Sequence, residues 1–322
     1  MAENGPVRHP VDIDALLRPR PPSPLHEVHD ERFARRGVRL LLKRDDLIHS
    51  TLLWDPEALG QVDLHPAGNK WRKLAPNLRI AAERGHHTLV TFGGAYSNHL
   101  RATAAAGRLL GFETVGIVRG QELAERPLNP SLTRCAAHGM RLHFTDRHRY
   151  RHKADPRVLE ELLTEAGAPG GFVIPEGGSN PAAVRGCEEL GAELRGRADL
   201  VGVACGTGGT LAGLAAGLDA HQQALGIPVL KGGFLDAEVT ALQCKTFGSR
   251  RGEWSLDDRF HFGGYGRVPT ELDSFAAEFG ERHGITIERI YVAKLLYGLT
   301  TMAREGALAP GSTVAAVITG SP

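Results

Sequence analysis

Thr88-Leu-Val-Thr-Phe-Gly-Gly-Ala-Tyr-Ser-Asn-His-Leu-Arg-Ala-Thr-Ala-Ala-Ala-Gly-Arg-Leu-Leu-Gly-Phe-Glu-Thr-Val-Gly-Ile-Val118 reads as a strand, a turn, a helix and a second strand. The β-rich run at 88–92 gives way to a helical pattern from His99 to Leu110, which Gly111 closes before the apolar run at 114–118. Parallel sheets are built from this alternation. Working outward, Phe172–Ile174, Leu200–Ala204 and Thr313–Ile318 are further strand candidates. Their continuous apolar character suits strands covered by helices on both faces, so the fold class is α/β. Gly85 ends another periodic segment, and Pro76 is placed in the first turn of a helix over Asn77–Arg84. No internal repeat is evident, Arg18–Pro24 reads as an extended lead-in, and composition marks no domain boundary.

The chain has 322 residues, 42% of them hydrophobic, and a net charge of +1, which argues for a globular protein rather than a polyelectrolyte. No stretch approaches the roughly 18 apolar residues that cross a bilayer, and the opening Met-Ala-Glu-Asn-Gly-Pro lacks a secretory pattern. A cytoplasmic protein with no membrane partner is expected. Cys135, Cys187, Cys205 and Cys244 form no Cys-x-x-Cys pair, so neither a disulfide framework nor a structural zinc site is expected, and the scattered histidines suggest no other metal. The basic run Arg147–Lys153 is flanked by Asp146 and Asp155 and has no second basic stripe beside it. It reads as a solvated face rather than a nucleic-acid surface.

Three segments carry chemistry. In Ala67-Gly-Asn-Lys-Trp-Arg-Lys73, Lys70 follows a glycine-containing turn, and a lysine amine held in a partly desolvated site can form a Schiff base. Phe92-Gly-Gly-Ala-Tyr-Ser-Asn-His99 joins a strand to a helix start, where backbone N–H groups favour a carboxylate or phosphate and Ser97, Asn98 and His99 add polar groups. Ala204-Cys-Gly-Thr-Gly-Gly-Thr-Leu-Ala-Gly213 follows another strand, and Gly206, Thr207, Gly208, Gly209 and Thr210 have the character of a phosphate cradle. A dinucleotide would want an acidic residue about 20 residues on, but Gln222–Lys231 has none, and no Lys-Ser or Lys-Thr follows the glycines as a Walker loop requires. A single phosphate, as in pyridoxal 5′-phosphate (PLP), fits better.

Five motifs in order, Lys43-Arg-Asp-Asp-Leu47, Gly68-Asn-Lys-Trp-Arg-Lys73, Gly93-Gly-Ala-Tyr-Ser-Asn-His99, Pro175-Glu-Gly-Gly-Ser-Asn180 and Gly206-Thr-Gly-Gly-Thr210, resemble those of the PLP-dependent 1-aminocyclopropane-1-carboxylate deaminase and D-cysteine desulfhydrase family. The resemblance runs from about residue 24 to the C-terminus. It implies fold type II: two open, twisted, mostly parallel sheets flanked by helices, with the cofactor between the domains. It further implies a large domain of 1–72 plus 183–322, a small inserted domain of 73–182, and a homodimer. By motif, Lys70 resembles the Schiff-base lysine, Lys73 a phosphate contact, Asn98 the partner of the ring hydroxyl, and 206–210 the phosphate loop. Ser97, Asn98 and His99 would meet the substrate, with Ser97 receiving its carboxylate and shuttling a proton. Tyr265 and Tyr291 match family tyrosines that line the substrate side.

The branches of the family differ at the pyridine nitrogen. Tyr291-Val-Ala-Lys294 resembles the deaminases' Tyr-Glu-Gly-Lys but has Val292 in place of the glutamate, and Val317-Ile-Thr-Gly320 resembles the desulfhydrases' Leu-His-Thr-Gly, which would bring Thr319 to that nitrogen. A hydroxyl there makes a milder electron sink than a carboxylate. The expectation is therefore α,β-elimination from a small amino acid, giving keto acid and ammonia. The alternatives are ring-opening deamination, β-replacement, or a member that binds PLP or an amino acid without turnover. Ser50–Ala67 looks like an insertion relative to the family, expected to reshape substrate access.

Overall fold

A computed structural model describes residues 22–48 and 68–320. The Ser50–Ala67 insertion and the beginning of the Arg18–Pro24 lead-in lie outside these residues. In chain order the strands are β1 (Leu25–Val28), β2 (Arg39–Lys43), β3 (Thr88–Gly93), β4 (Glu113–Arg119), β5 (Arg141–Thr145), β6 (Phe172–Ile174), β7 (Leu200–Cys205), β8 (Gln223–Pro228), β9 (Glu253–Leu256) and β10 (Thr313–Val317). The architecture is α/β, with two mostly parallel sheets flanked by helices, belonging to two compact units. Among the described residues no helix is long and apolar enough to cross a membrane.

The first unit covers 74–178 and holds a four-stranded sheet of order β5-β4-β3-β6, parallel throughout. Alternation along the strands divides its core. Val90, Phe92, Val115 and Ile117 pack with Tyr150 and Leu162, whereas Val118 joins Leu100, Ala104, Leu132 and Cys135. The basic run forms the short helix Arg147–Arg151, capped by Asp146. Acidic partners answer its charges: Arg147 pairs with Glu122, Arg149 with Glu165 at 2.8 Å, and Lys153 with Glu176 at 3.0 Å.

The second unit comprises 22–48, 68–73 and 179–320, with sheet order β1-β2-β10-β7-β8-β9. Only β1 runs antiparallel to its neighbour. Leu40, Leu42, Val314 and Ala316 face the helix Val292–Glu305 through Leu295, Leu296 and Leu299. The intervening Leu41, Ala315 and Val317 join Val201, Val203, Leu211 and Leu214 on the opposite face. Because β2, β10 and β7 are parallel neighbours, their carboxyl ends share one edge. Lys43 lies opposite Val317, and beyond them the Ile318 N–H donates to the Lys43 carbonyl at 2.9 Å. Motifs far apart in sequence, at 43–47, 206–210 and 317–320, are thereby delivered to the edge where parallel sheets place ligands.

One element differs from sequence-based expectation. The helix expected to begin near Pro76 begins at Lys70 and runs to Glu83, with Pro76 inside it. Proline offers no N–H to the Arg72 carbonyl one turn earlier, so this start runs against local preference. Elsewhere in the second unit the helices Pro181–Glu193 and Gly209–Gly217 pack closely. A Cβ on Gly213 would stand 2.2 Å from the Val184 carbonyl oxygen, and one on Gly217 would stand 2.0 Å from that of Glu188. Backbone cannot yield as a side-chain tip can. Gly213→Ala is expected to destabilise the protein by about 2 kcal/mol or more and to lower its denaturation midpoint, since overpacked sites typically cost about 1–3 kcal/mol with side-chain neighbours. An unchanged urea midpoint would show that the two helices are free to separate.

Candidate active site

The site grows from Gly68. Its φ of +56° is left-handed, and a Cβ there would lie 2.4 Å from the Thr319 carbonyl oxygen. Glycine thus lets the chain press against the end of β10, where the Asn69 N–H donates to that same oxygen at 3.1 Å. The Asn69 side chain is buried and donates through Nδ2 to Thr210 Oγ1 at 3.2 Å, linking the turn to the glycine-rich loop. Lys70 follows as the first helical residue, with Nζ 3.3 Å from Asn69 Oδ1 and 5.9 Å from the centroid of the Tyr291 ring. Burial, reinforced by the charge of Lys73, pulls its pKa from 10.5 down to about 7. A lysine amine neutral near physiological pH is a competent nucleophile and base.

Arg72 locks this turn. Nε and Nη2 donate to the Asp45 carboxylate, each at 2.9 Å, while Nη1 and Nη2 donate to Glu193 at 2.9 and 2.8 Å. Asp45 also accepts from Ser23 Oγ at 2.6 Å, and Lys43 Nζ lies 2.6 Å from Glu193 Oε2. Burial opposes charge on Glu193, but the bonds from Arg72 and Lys43 outweigh it and hold the carboxyl below its ordinary range. Lys43 and Asp45 of the 43–46 stretch are therefore joined in one buried ion-pair cluster with Arg72, on the helix carrying Lys70, and Glu193, at the end of the helix Pro181–Glu193.

Next comes a cradle for an anion. The helix Gly209–Gly217 starts after Gly208, whose φ is +77°, and among the described residues no side chain caps its N–H groups. Lys73 is buried and its Nζ lies 3.3 Å from Ser179 Oγ, which in turn is 2.6 Å from Thr207 Oγ1. A Cβ on Gly209 would fall 2.6 Å from Ser179 Oγ and 3.1 Å from Lys73 Nζ. The cradle exists because that position has no side chain. Uncapped N–H groups at a helix start, two hydroxyls and an ammonium make a phosphate site. Ser179 was not singled out from sequence, although it stands in the Pro175–Asn180 motif that could have signalled it. Beside the cradle, Tyr291 packs its hydroxyl against Gly206, where a Cβ would lie 3.2 Å away, and meets Tyr265 edge to face at 6.1 Å between centroids.

Lys70, Lys73, Gly206–Thr210, Tyr265, Tyr291 and Thr319 all belong to the second unit. Ser97, Asn98 and His99 belong to the first. There Ser97 caps the helix Asn98–Leu110, accepting from the Leu100 N–H at 3.3 Å, and the Asn98 carboxamide oxygen accepts from Arg101. His99 is buried, with Nε2 2.8 Å from Thr91 Oγ1. Since the Thr91 hydroxyl donates to the Ile174 carbonyl at 2.8 Å, His99 Nε2 carries the proton of that contact. The thiols are not rivals for nucleophile, because burial raises Cys187 and pushes Cys205 up to about 12.

Residues 63–320 match the family described as Pyridoxal-phosphate dependent enzyme. The chain belongs to that family. A Pyrococcus abyssi protein provisionally named 1-aminocyclopropane-1-carboxylate deaminase is 32% identical over 88% of this chain and 84% of its own length. A D-cysteine desulfhydrase of Klebsiella pneumoniae subsp. pneumoniae is also 32% identical, over 82% of this chain and 80% of its own. A crystal structure described as an ACC deaminase homologue superposes with a TM-score of 0.74 at 28% identity, covering 97% of this chain and 95% of the other. The fold is that of PLP fold type II, the protein is a PLP-dependent enzyme, and its cofactor is PLP. The residues fit it: Lys70 is the amine that would hold the cofactor covalently, and Lys73, Ser179, Thr207 and the N–H groups at 208–210 would hold its phosphate.

Capture of PLP by the cofactor-free protein needs the neutral Lys70 amine. Because that pKa is lowered, the capture rate is expected to rise with pH through about 7 and then level off. Lys70→Ala should show no covalent capture, and a wild-type rate still climbing toward the ordinary lysine value of 10.5 would contradict the assignment. Arg72→Met leaves Asp45 buried without its main cation and is expected to cost about 3–5 kcal/mol. Its urea midpoint and PLP affinity should fall together.

Proposed function

We propose that the enzyme catalyses α,β-elimination from a small amino acid of the D-cysteine kind, releasing a keto acid, ammonia and the β-substituent. The observation that carries this reading is at Val292. The deaminases that the sequence resembles have glutamate at this position, whereas Val292 is wholly buried in the apolar core. The nearby Glu288 carboxylate is occupied by backbone, accepting from the N–H groups of Ile290 at 2.8 Å, Tyr291 at 2.7 Å and Val292 at 3.2 Å. With no carboxylate side chain at 292 and the hydroxyl of Thr319 as the expected neighbour of the ring nitrogen, the milder electron sink suits loss of a β-thiol better than opening of a cyclopropane ring. The names of the relatives include both branches, and Val292 supports the elimination reading.

When bound, PLP supplies a covalent anchor for the substrate amine and a sink for the electrons left at the α-carbon. Lys70, with a pKa of about 7, can take the α-proton at Nζ and return it near neutral pH. Lys73, Ser179 and Thr207 would hold the phosphate end, on the same unit as the reactive lysine. Ser97, as a helix cap with the N–H groups beside it, is suited to the substrate carboxylate. Tyr265 and Tyr291 form an aromatic wall next to Lys70.

The PLP-loaded protein should release pyruvate and sulfide from D-cysteine, depend on Lys70, and leave 1-aminocyclopropane-1-carboxylate untouched. Formation of 2-oxobutyrate from that cyclopropane, with no sulfide from D-cysteine, would replace elimination with ring opening.

A further inference from the structure

The loop His261-Phe-Gly-Gly-Tyr-Gly266, which carries Tyr265, is conformationally expensive. Four of its residues have left-handed φ values: Phe262 at +52°, Gly263 at +86°, Gly264 at +119° and Gly266 at +71°. Among the described residues Phe262 is the one non-glycine with positive φ, a state that costs a side-chain-bearing residue roughly 1–3 kcal/mol. Such a loop persists only where surrounding contacts over-determine it.

The contacts come from one side chain above all. Lys294 is buried, and its Nζ donates to the His261 carbonyl at 2.9 Å and to the Gly264 carbonyl at 2.8 Å, tying the loop's two sides together. The Gly263 N–H donates to His261 Nδ1 at 2.9 Å, and the Phe262 ring meets Tyr297 edge-on at 5.0 Å. Lys294 is an unfavourable residue for its place. It lies in the first turn of the helix Val292–Glu305, where the dipole disfavours a cation, and burial draws its pKa down to about 8 against the field of Glu288. A cation in a position that penalises it points to the work of its ammonium on those carbonyls. The same helix start presents Tyr291, so one turn sets both rings of the wall beside Lys70.

We propose that Lys294 is a positioning residue, clamping the strained 261–266 loop so that Tyr265 is held against Tyr291 and substrate affinity is set. It rests on the elimination reading only for the choice of D-cysteine as probe.

The test compares Lys294→Met with wild type, both PLP-loaded. Hydrogen exchange at the amides of 263–266 should quicken by about tenfold or more once the clamp is gone. KM for D-cysteine should rise about tenfold with kcat within about threefold, and this rise should vanish in a Tyr265→Ala background, because residues acting through one another are non-additive. The visible band of bound PLP should be unaltered. Unchanged exchange, or a KM effect that simply adds to that of Tyr265→Ala, would overturn the proposal. Should Lys294→Met not fold, Gly264→Ala disturbs the same loop while keeping Lys294, and it must reproduce both the faster exchange and the raised KM. Absence of D-cysteine turnover by wild type would sink the elimination reading, while the exchange comparison still decides the role of Lys294.

Discussion

Arg72 is bonded on both sides by carboxylates, Asp45 from just beyond β2 and Glu193 from the end of the helix Pro181–Glu193. A buried charge of this kind adds little net stability over an apolar replacement, because desolvation offsets most of the attraction. What it supplies is geometry. A planar guanidinium with two forked partners has few acceptable orientations, and Lys70 and Lys73 flank it on the same helical turn. The helix can therefore start at Lys70 despite Pro76, and the turn at Gly68 can rest on the Thr319 carbonyl, because the lock fixes where the first turn must be.

Four lysines around this frame show how environment decides use. Lys43 is neutralised by Glu193 and serves the lock. Among the described residues no carboxylate is bonded to Lys70, and burial beside Lys73 makes its proton easy to lose. Lys73 is likewise lowered by burial but faces two hydroxyls and an uncapped helix start, a setting completed by an anion. Lys294 is satisfied by two carbonyls and holds backbone. What each Nζ meets suits the same residue type to act as counter-ion, nucleophile, anion ligand or clamp.

Much of the fold was readable because parallel strands covered on both faces must be apolar throughout, as at Leu200–Cys205 and Thr313–Val317. β1, β2, β5, β8 and β9 were not: Leu25-His-Glu-Val28 and Glu253-Trp-Ser-Leu256 are short edge strands carrying polar residues, Arg39–Lys43 and Arg141–Thr145 are short runs interrupted or bounded by charged and polar residues, and Gln223-Ala-Leu-Gly-Ile-Pro228 has a glycine and a proline inside it. The strand-to-helix junction at 206–210 was readable because an apolar run gives way there to a cluster of glycines. Ser179 was not, because its hydroxyl acquires meaning only from Lys73 and Thr207, 106 and 28 residues away. Lys294 was quoted as part of a family motif, but nothing local revealed that its partners would be carbonyls 30 and 33 residues upstream. Helix starts held by distant contacts are similarly invisible to local propensity, and Lys70–Glu83 is such a helix.

The start of Val292–Glu305 ties the position at which the resembled deaminases carry glutamate to a capping scheme. Its first N–H groups are already satisfied by Glu288, and Lys294 already draws on the field of that carboxylate. A glutamate placed at 292 would put a second carboxylate on the same turn, in a position that is now fully buried and apolar. Burial and a like charge both oppose ionisation of such a group, so it would need donors of its own, and the nearest backbone N–H groups are already drawn to Glu288.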